Sequence, residues 1–163
     1  MSAFHLARLN VARLKAPLDS PPLTDFVANL DRINALAEQA PGFIWRLQTD
    51  DGDATALRPL GERTIVNLSL WADAQALADY VYRSAHVDIM RHRREWFQRL
   101  DDAHMVLCWV AGGQRPDLAE ALARLQQLRE LRPSAQAFTF RQIFPAPGTV
   151  APEQLPIGAE CPA

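Results

Sequence analysis

RTIVNLSLW, residues 63–71, is the stretch on which the fold turns. Ile65, Asn67, Ser69 and Trp71 alternate there with Val66, Leu68 and Leu70. Alternation at period two puts the two sets on opposite faces of a strand. One face is wholly apolar. The other carries Asn67 and Ser69 between apolar groups, which suits the floor of a pocket with a few placed polar groups. Trp71-Ala72-Asp73 then turns the chain into a helix, with Asp73 placed to cap it.

The flanking segments follow outward from this strand. Upstream, residues 4–14 alternate in the same way, with Phe4, Leu6, Arg8 and Asn10 sharing one face. APLDSPP makes a loop in which Ser20 can cap a helix and Pro21 can start it. Leu23, Phe26, Val27, Leu30, Ile33 and Leu36 recur at helical spacing until Pro41-Gly42 stops them near Ala40. FIWRLQT, residues 43–49, reads as a strand, and the polar DDGDATALRPLG that follows is rich in turn formers. Downstream, the helical pattern runs through YRSAHVDIMRHRREWF, residues 82–97, to Leu100, with Ser84 the point at which it would break. HMVLCWVA, residues 104–111, is a short apolar run suited to a buried strand. Asp117 can cap a further helix that Pro133 stops, and AFTFRQIF, residues 137–144, reads as a last strand. From Pro145 the chain is rich in proline and small residues and is expected to be a mobile tail.

The order β-α-β-β-α-β, followed by an extra helix and strand, is ferredoxin-like, of the α+β class. One domain over residues 1–145 and a tail over 146–163 are expected. An antiparallel sheet of this order carries both main helices on one face. Its other face needs a cover, since the strands offer Trp45, Leu47, Trp71 and Trp109. A second copy packed sheet to sheet, giving a two-fold homodimer, is the economical solution. The extra helix and strand are the alternative cover.

Composition narrows the partners. The chain has 163 residues, 48% of them hydrophobic, enough for one real core. Its net charge of −2 supplies no overall field for nucleic acid or an anionic membrane. No apolar run approaches the ~18–20 residues of a membrane span, and the first residues lack the apolar stretch of a signal peptide. Two cysteines, Cys108 and Cys161, make neither a disulfide framework nor a zinc site. A reduced, cytoplasmic setting is expected. Phosphate-loop, nucleophile-elbow and zincin motifs are absent.

Several stretches resemble a bacterial domain-of-unknown-function family of the dimeric α/β-barrel superfamily, which also holds antibiotic-biosynthesis monooxygenases. They are Y-x-S-x-H at Tyr82 to His86, R-R-E-W-F at Arg93 to Phe97, LNVARL from Leu9, PGFIWRL from Pro41, NLSLW from Asn67 and FTFRQIFPAP from Phe138. The resemblance spans almost the whole chain and implies the ferredoxin-like fold. The wider superfamily includes cofactor-free oxygenases of aromatic polyketides and haem-degrading monooxygenases. Similarity to the first implies roles for Asn67, Trp71, Tyr82 and Arg93. Similarity to the second would set Asn10, Trp71 and His86 around a haem.

On a single helix at about 100° per residue, His86, Met90, Arg93 and Phe97 share a sector, flanked by Tyr82. His86 and Arg93 would then interrupt an apolar stripe. An arginine facing a core needs a partner, because an unpaired buried charge is costly. Either both residues are satisfied structurally, or both face a cavity. In the cavity reading His86 or Tyr82 takes a proton and Arg93 stabilises the anion that forms. Trp71 and Asn67 complete the catalytic group, and Asn10, Ser69, Trp45 and Met90 bind substrate. The expected function is a monooxygenase-like small-molecule enzyme acting on an aromatic or enolisable substrate, without cofactor or metal. A haem protein with His86 as axial ligand and a non-catalytic ligand-binding or structural dimer are the alternatives.

Overall fold

The computed structural model describes residues 3–149. Four strands form one antiparallel sheet: β1 (Phe4–Arg13), β2 (Phe43–Arg46), β3 (Thr64–Trp71) and β4 (Met105–Ala111). Their spatial order, β2-β3-β1-β4, is the ferredoxin-like arrangement. The helices are α1 (Thr24–Gln39), α2 (Ala74–Arg83), α3 (His86–Met90), α4 (Arg93–Trp96) and α5 (Leu118–Glu130). A single 3-10 turn, Pro21–Leu23, leads into α1. Ser20 precedes it without a side-chain cap; its hydroxyl donates to the Pro17 carbonyl instead. Asp73 and Asp117 both act as caps, accepting from the Ala76 and Glu120 amides at 2.8 and 3.1 Å.

The register puts the two faces of the sheet to different uses. Leu6 pairs with Trp71, Arg8 with Ser69 and Asn10 with Asn67. These rows face α1 and α2, where Leu6, Trp71, Leu77, Tyr80 and Leu107 form a core. Leu9, Val11, Val66, Leu68 and Val106 face the other way and bury against Ala121, Leu125 and Leu128 of α5. A third cluster closes the far end of α1, where Phe26 meets Trp96 and Phe97 at ring-centroid distances of 5.4 and 5.0 Å. Trp96 and Phe97 of the R-R-E-W-F stretch are therefore anchors.

Three expectations change. The long second helix is broken. The Ser84 hydroxyl donates to the Tyr80 carbonyl at 2.5 Å and accepts from the His86 amide at 3.1 Å. A serine that takes a carbonyl four residues back competes with the helix ladder. The backbone at Ser84 turns extended (φ −96°, ψ 175°), and α3 starts in a new direction. The single helical wheel drawn from Tyr82 to Leu100 therefore does not hold. Residues 137–144 are not a strand: Phe138 makes one bridge to Leu107, with backbone bonds of 2.7 and 3.0 Å, and turns follow. The alternation there reflects Phe138 and Phe140 plugging the core individually. Finally, α5 covers within one chain much of the sheet face for which a second copy seemed the economical cover. Residues 150–163 of the proline-rich segment, Cys161 among them, lie outside the described residues.

Gly42 shows how tightly the elements that frame the site are fitted. It adopts φ +84°, and a Cβ added there would stand 2.4 Å from Cβ of Ala76 on α2. Both costs, a left-handed backbone and a clash with a helix, fall on Gly42→Ala. A loss of about 2–4 kcal/mol is expected from chemical denaturation. Less than about 0.5 kcal/mol would mean that this turn is not held against α2.

Candidate active site

A cavity of about 110 Å³ lies between the sheet and α1, α2 and α3. Arg8, Ser69, Trp71, Tyr80 and His86 line its inner part. Asn10 and the exposed Asn67 stand toward its mouth, and Met90 lies on the helical wall. The long β2–β3 connection contributes Asp53 and Thr55. An apolar cavity of ~150 Å³ holds benzene. This one takes a single ring at most, or a shorter chain.

The row across the sheet at this level reads Arg46, Ser69, Arg8, Leu107. It brings two arginines onto one face with a serine between them. Their surroundings differ sharply. Arg46 donates to Glu38 at 2.8 Å and to the Gly52 carbonyl at 2.7 Å, so its charge is answered. Arg8 is only 8% exposed and forms no ion pair with any described carboxylate. Its Nε is buried with no hydrogen-bond partner among the described residues. A buried guanidinium without a counter-charge is costly unless something else supplies one.

His86 lies beside it. The residue is 9% exposed, its ring centroid is 4.8 Å from that of Tyr80, and Tyr80 stacks on Trp71 at 5.0 Å. Its Nδ1 is buried without a partner among the described residues. Burial first, and the Arg8 charge second, push its pKa down to about 4, while a backbone contact with Val81 pulls the other way. The imidazole is therefore neutral at pH 7 and can accept a proton. Burial pushes the Tyr80 phenol up to about 12, so it stays protonated. Trp71 donates its indole N–H to the Ser69 hydroxyl at 2.9 Å, which leaves that hydroxyl's own proton to aim elsewhere.

The residues singled out from sequence divide three ways. His86, Trp71, Asn67, Asn10, Ser69 and Met90 line this cavity. Arg93 lines a neighbouring groove: α3 ends at Met90 and Arg93 starts α4, so His86 and Arg93 do not share one continuous helix. Tyr82 and Trp45 line neither: Tyr82 packs edge-on against Phe140 at 5.5 Å, and Trp45 lies under Arg115 with the guanidinium 5.7 Å from its ring. The proton-acceptor role for Tyr82, the anion-stabilising role for Arg93 beside His86 and the substrate-binding role for Trp45 lose their geometric basis. Arg8 is the residue that sequence reasoning missed. Its only signal was a cation in mid-strand on the face shared with Leu6 and Asn10. Burial raises the Cys108 thiol to about 11, which makes it inert core.

Haem does not fit here. A porphyrin is far larger than a cavity of about 110 Å³, and the Arg8 cation beside His86 opposes coordination of a metal cation by that ring. Among the described residues no group of three or more histidine, cysteine, aspartate or glutamate side chains is placed to hold a metal ion. No described helix is long and apolar enough to cross a membrane.

No curated protein matches the chain. Among solved structures it is similar to SnoaB, a cofactor-independent oxygenase from Streptomyces nogalater, at 16% identity over 69% of this chain and 97% of that one, with a TM-score of 0.44. It is similar at 16% identity to a protein of unknown function from Nitrosomonas europaea, over 71% of this chain and 97% of the other, with a TM-score of 0.44. A dabb family protein with a ferredoxin-like fold from Mesorhizobium loti matches at 16% identity over 68% and 99%, with a TM-score of 0.42. The family described as a domain of unknown function, DUF3291, matches residues 5–154, and the chain belongs to that family.

Proposed function

We propose that this chain is a small-molecule enzyme with monooxygenase-like chemistry, acting on a compact enolisable or phenolic substrate in the inner cavity. The observation that carries the reading is Arg8, buried beside a neutral histidine and unanswered by any described carboxylate. Such a cation is matched by an anion that arrives or forms in the cavity. His86 takes the proton from the substrate, and the resulting enolate or phenolate lies against Arg8. The two steps are coupled. The anion cancels the Arg8 field that depresses His86, and it favours the imidazolium beside it. Base strength is thus delivered with the substrate. Dioxygen is the oxidant, and an activated CH₂ group plus dioxygen becomes a carbonyl group plus water. Ser69 and Asn10 orient the oxygen atoms, while Trp71 and Tyr80 supply the apolar wall.

Two measurements test this. 4-Nitrophenol bound to the protein should absorb as the phenolate at pH values where the free phenol is protonated. Oxygen uptake across single-ring hydroxyaromatics and 1,3-dicarbonyls should then match substrate loss one to one. Phenolate binding with no turnover across the panel would favour a non-catalytic anion-binding protein. No phenolate signal would remove the reading altogether.

A further inference from the structure

The inner cavity adjoins a second, larger space. A groove of about 600 Å³ shares Asn10, Ala12, Met90 and Phe97 with it. Lys15, Arg93, Arg94, Arg99 and His104 line the groove, and among the described residues no aspartate or glutamate does. We propose that this groove is a phosphate subsite, holding the phosphate or diphosphate portion of a substrate whose compact end lies at Arg8 and His86. The proposal rests on the reading above for the inner end alone.

The walls are pinned by backbone bonds. The Lys15 amide donates to the Trp96 carbonyl at 2.9 Å, and the Gln98 amide donates to the Arg13 carbonyl at 2.8 Å. The Lys15 ammonium reaches the Arg94 carbonyl. The end of β1 and the segment after α4 are thereby stapled side by side, which converges cations from two separate parts of the chain. Nearby acids are engaged or stand outside. Glu95 meets His92 at 3.2 Å, Asp88 meets Arg91 at 3.5 Å, and Asp101 and Asp102 are exposed beyond the lining. Arg129 adds its charge at the rim, where it donates to the Ala103 carbonyl at 2.8 Å. The field is felt by His104, whose pKa is lowered by burial first and then by Arg8, Arg93 and Arg129.

The number of cations sets the ligand class. One arginine fork satisfies one carboxylate. Arg94, Arg99 and Lys15 around one groove match a group with two or more negative charges and many acceptor oxygens. The inner cavity's size is compatible with this, since a phosphate-bearing substrate would place only its small end there. A nucleic acid is a poorer match. The chain's net charge is −2, and the acids at 88, 95, 101 and 102 interrupt any longer basic track.

Calorimetric titration at matched ionic strength tests the subsite, with inorganic pyrophosphate, ADP, acetate and a short single-stranded oligonucleotide as probes. Pyrophosphate is expected to bind at least about tenfold more tightly than acetate. An Arg94→Gln/Arg99→Gln double variant should weaken it about tenfold or more, without changing the thermal transition of the free protein. Equal affinity for ADP and pyrophosphate supports a subsite that reads phosphate alone, whereas tighter ADP binding supports a nucleotide-linked substrate. Pyrophosphate binding no tighter than acetate, unchanged binding in the double variant, or preference for the oligonucleotide would each overturn the proposal. The 4-nitrophenol signal separates the two claims. Phenolate formation without pyrophosphate binding removes the groove subsite and leaves the inner site standing. Pyrophosphate binding without phenolate formation does the reverse.

Discussion

Arg8→Met is expected to make the ligand-free protein more stable and, at the same time, unable to hold an anion. Arg8 is 8% exposed and pairs with no described carboxylate, so folding removes its charge from water without returning a full counter-charge. Replacing a buried charge by an apolar side chain of similar length is often neutral or stabilising by about 1–4 kcal/mol. Methionine suits the place because its flexible thioether can follow the path of the arginine stem between its cross-strand neighbours Ser69 and Leu107. Binding moves the opposite way. Removing one partner of a buried, hydrogen-bonded charge pair costs about 2–5 kcal/mol, or roughly 30- to 5,000-fold in affinity for 4-nitrophenolate. His86 should also respond: with the cation gone, its pKa should rise from about 4 toward its ordinary value, though burial would still hold it down. Denaturant titration and phenolate titration of the same preparation make the comparison. A variant that is less stable and binds as before would show that Arg8 is a structural cation. Arg8→Lys is the control for geometry, since it keeps the charge and loses the planar fork.

That opposition separates what was legible in the chain from what was not. The strands were legible because their signal is local. Ile65 to Trp71 alternate, and both sheet faces are filled by the residues that alternation assigns to them. Asp73 and Asp117 were legible as caps for the same reason, since each needs only an amide three residues on. The break at Ser84 was harder. Tyr82 to His86 contains no glycine or proline, and the break comes from one hydroxyl competing for the Tyr80 carbonyl. A second interruption, between Met90 and Arg93, had the larger consequence, because it separates Arg93 from His86 and puts them in different spaces. The last segment misled through its phenylalanines, which alternate without belonging to a ladder. Arg8 was out of reach for a different reason. A cation in mid-strand can snorkel, pair or stay buried, and only the packing of α1, α2 and α3 over the β1 face shows that it stays buried. The role of α5 likewise depends on which face of the sheet it crosses, which the sequence order leaves open.

His86→Phe carries the second large effect, and it joins stability to chemistry through one proton. Phenylalanine keeps the ring contact with Tyr80 and removes the neutral imidazole from the inner cavity. Loss of a positioned base costs about 10²–10⁴-fold in rate. Turnover should fall by that much, while 4-nitrophenolate, held by Arg8, still binds within a few-fold. A merely structural histidine would lower both together. The pH dependence gives an independent readout. An unfolded chain binds the His86 proton with a pKa near 6.5, whereas the folded chain binds it only near 4. Between those values the unfolded state carries more protons, so native stability rises with pH. The contribution is fully present above about pH 6.5 and is lost as the pH falls through about 4. It amounts to something on the order of 3 kcal/mol. His104 adds a slope of the same sign, because its pKa is also lowered. The wild-type protein should therefore lose much more stability than His86→Phe on going from pH 7 to pH 4.5. Equal losses would show that His86 titrates like an exposed histidine, and that would remove the neutral base from the mechanism. In catalysis the same pKa sets the acid limb of kcat/KM near pH 4 instead of near 6.5. Anion binding then raises His86 at the moment the proton is transferred. A limb near 6.5 would mean that the base lies elsewhere.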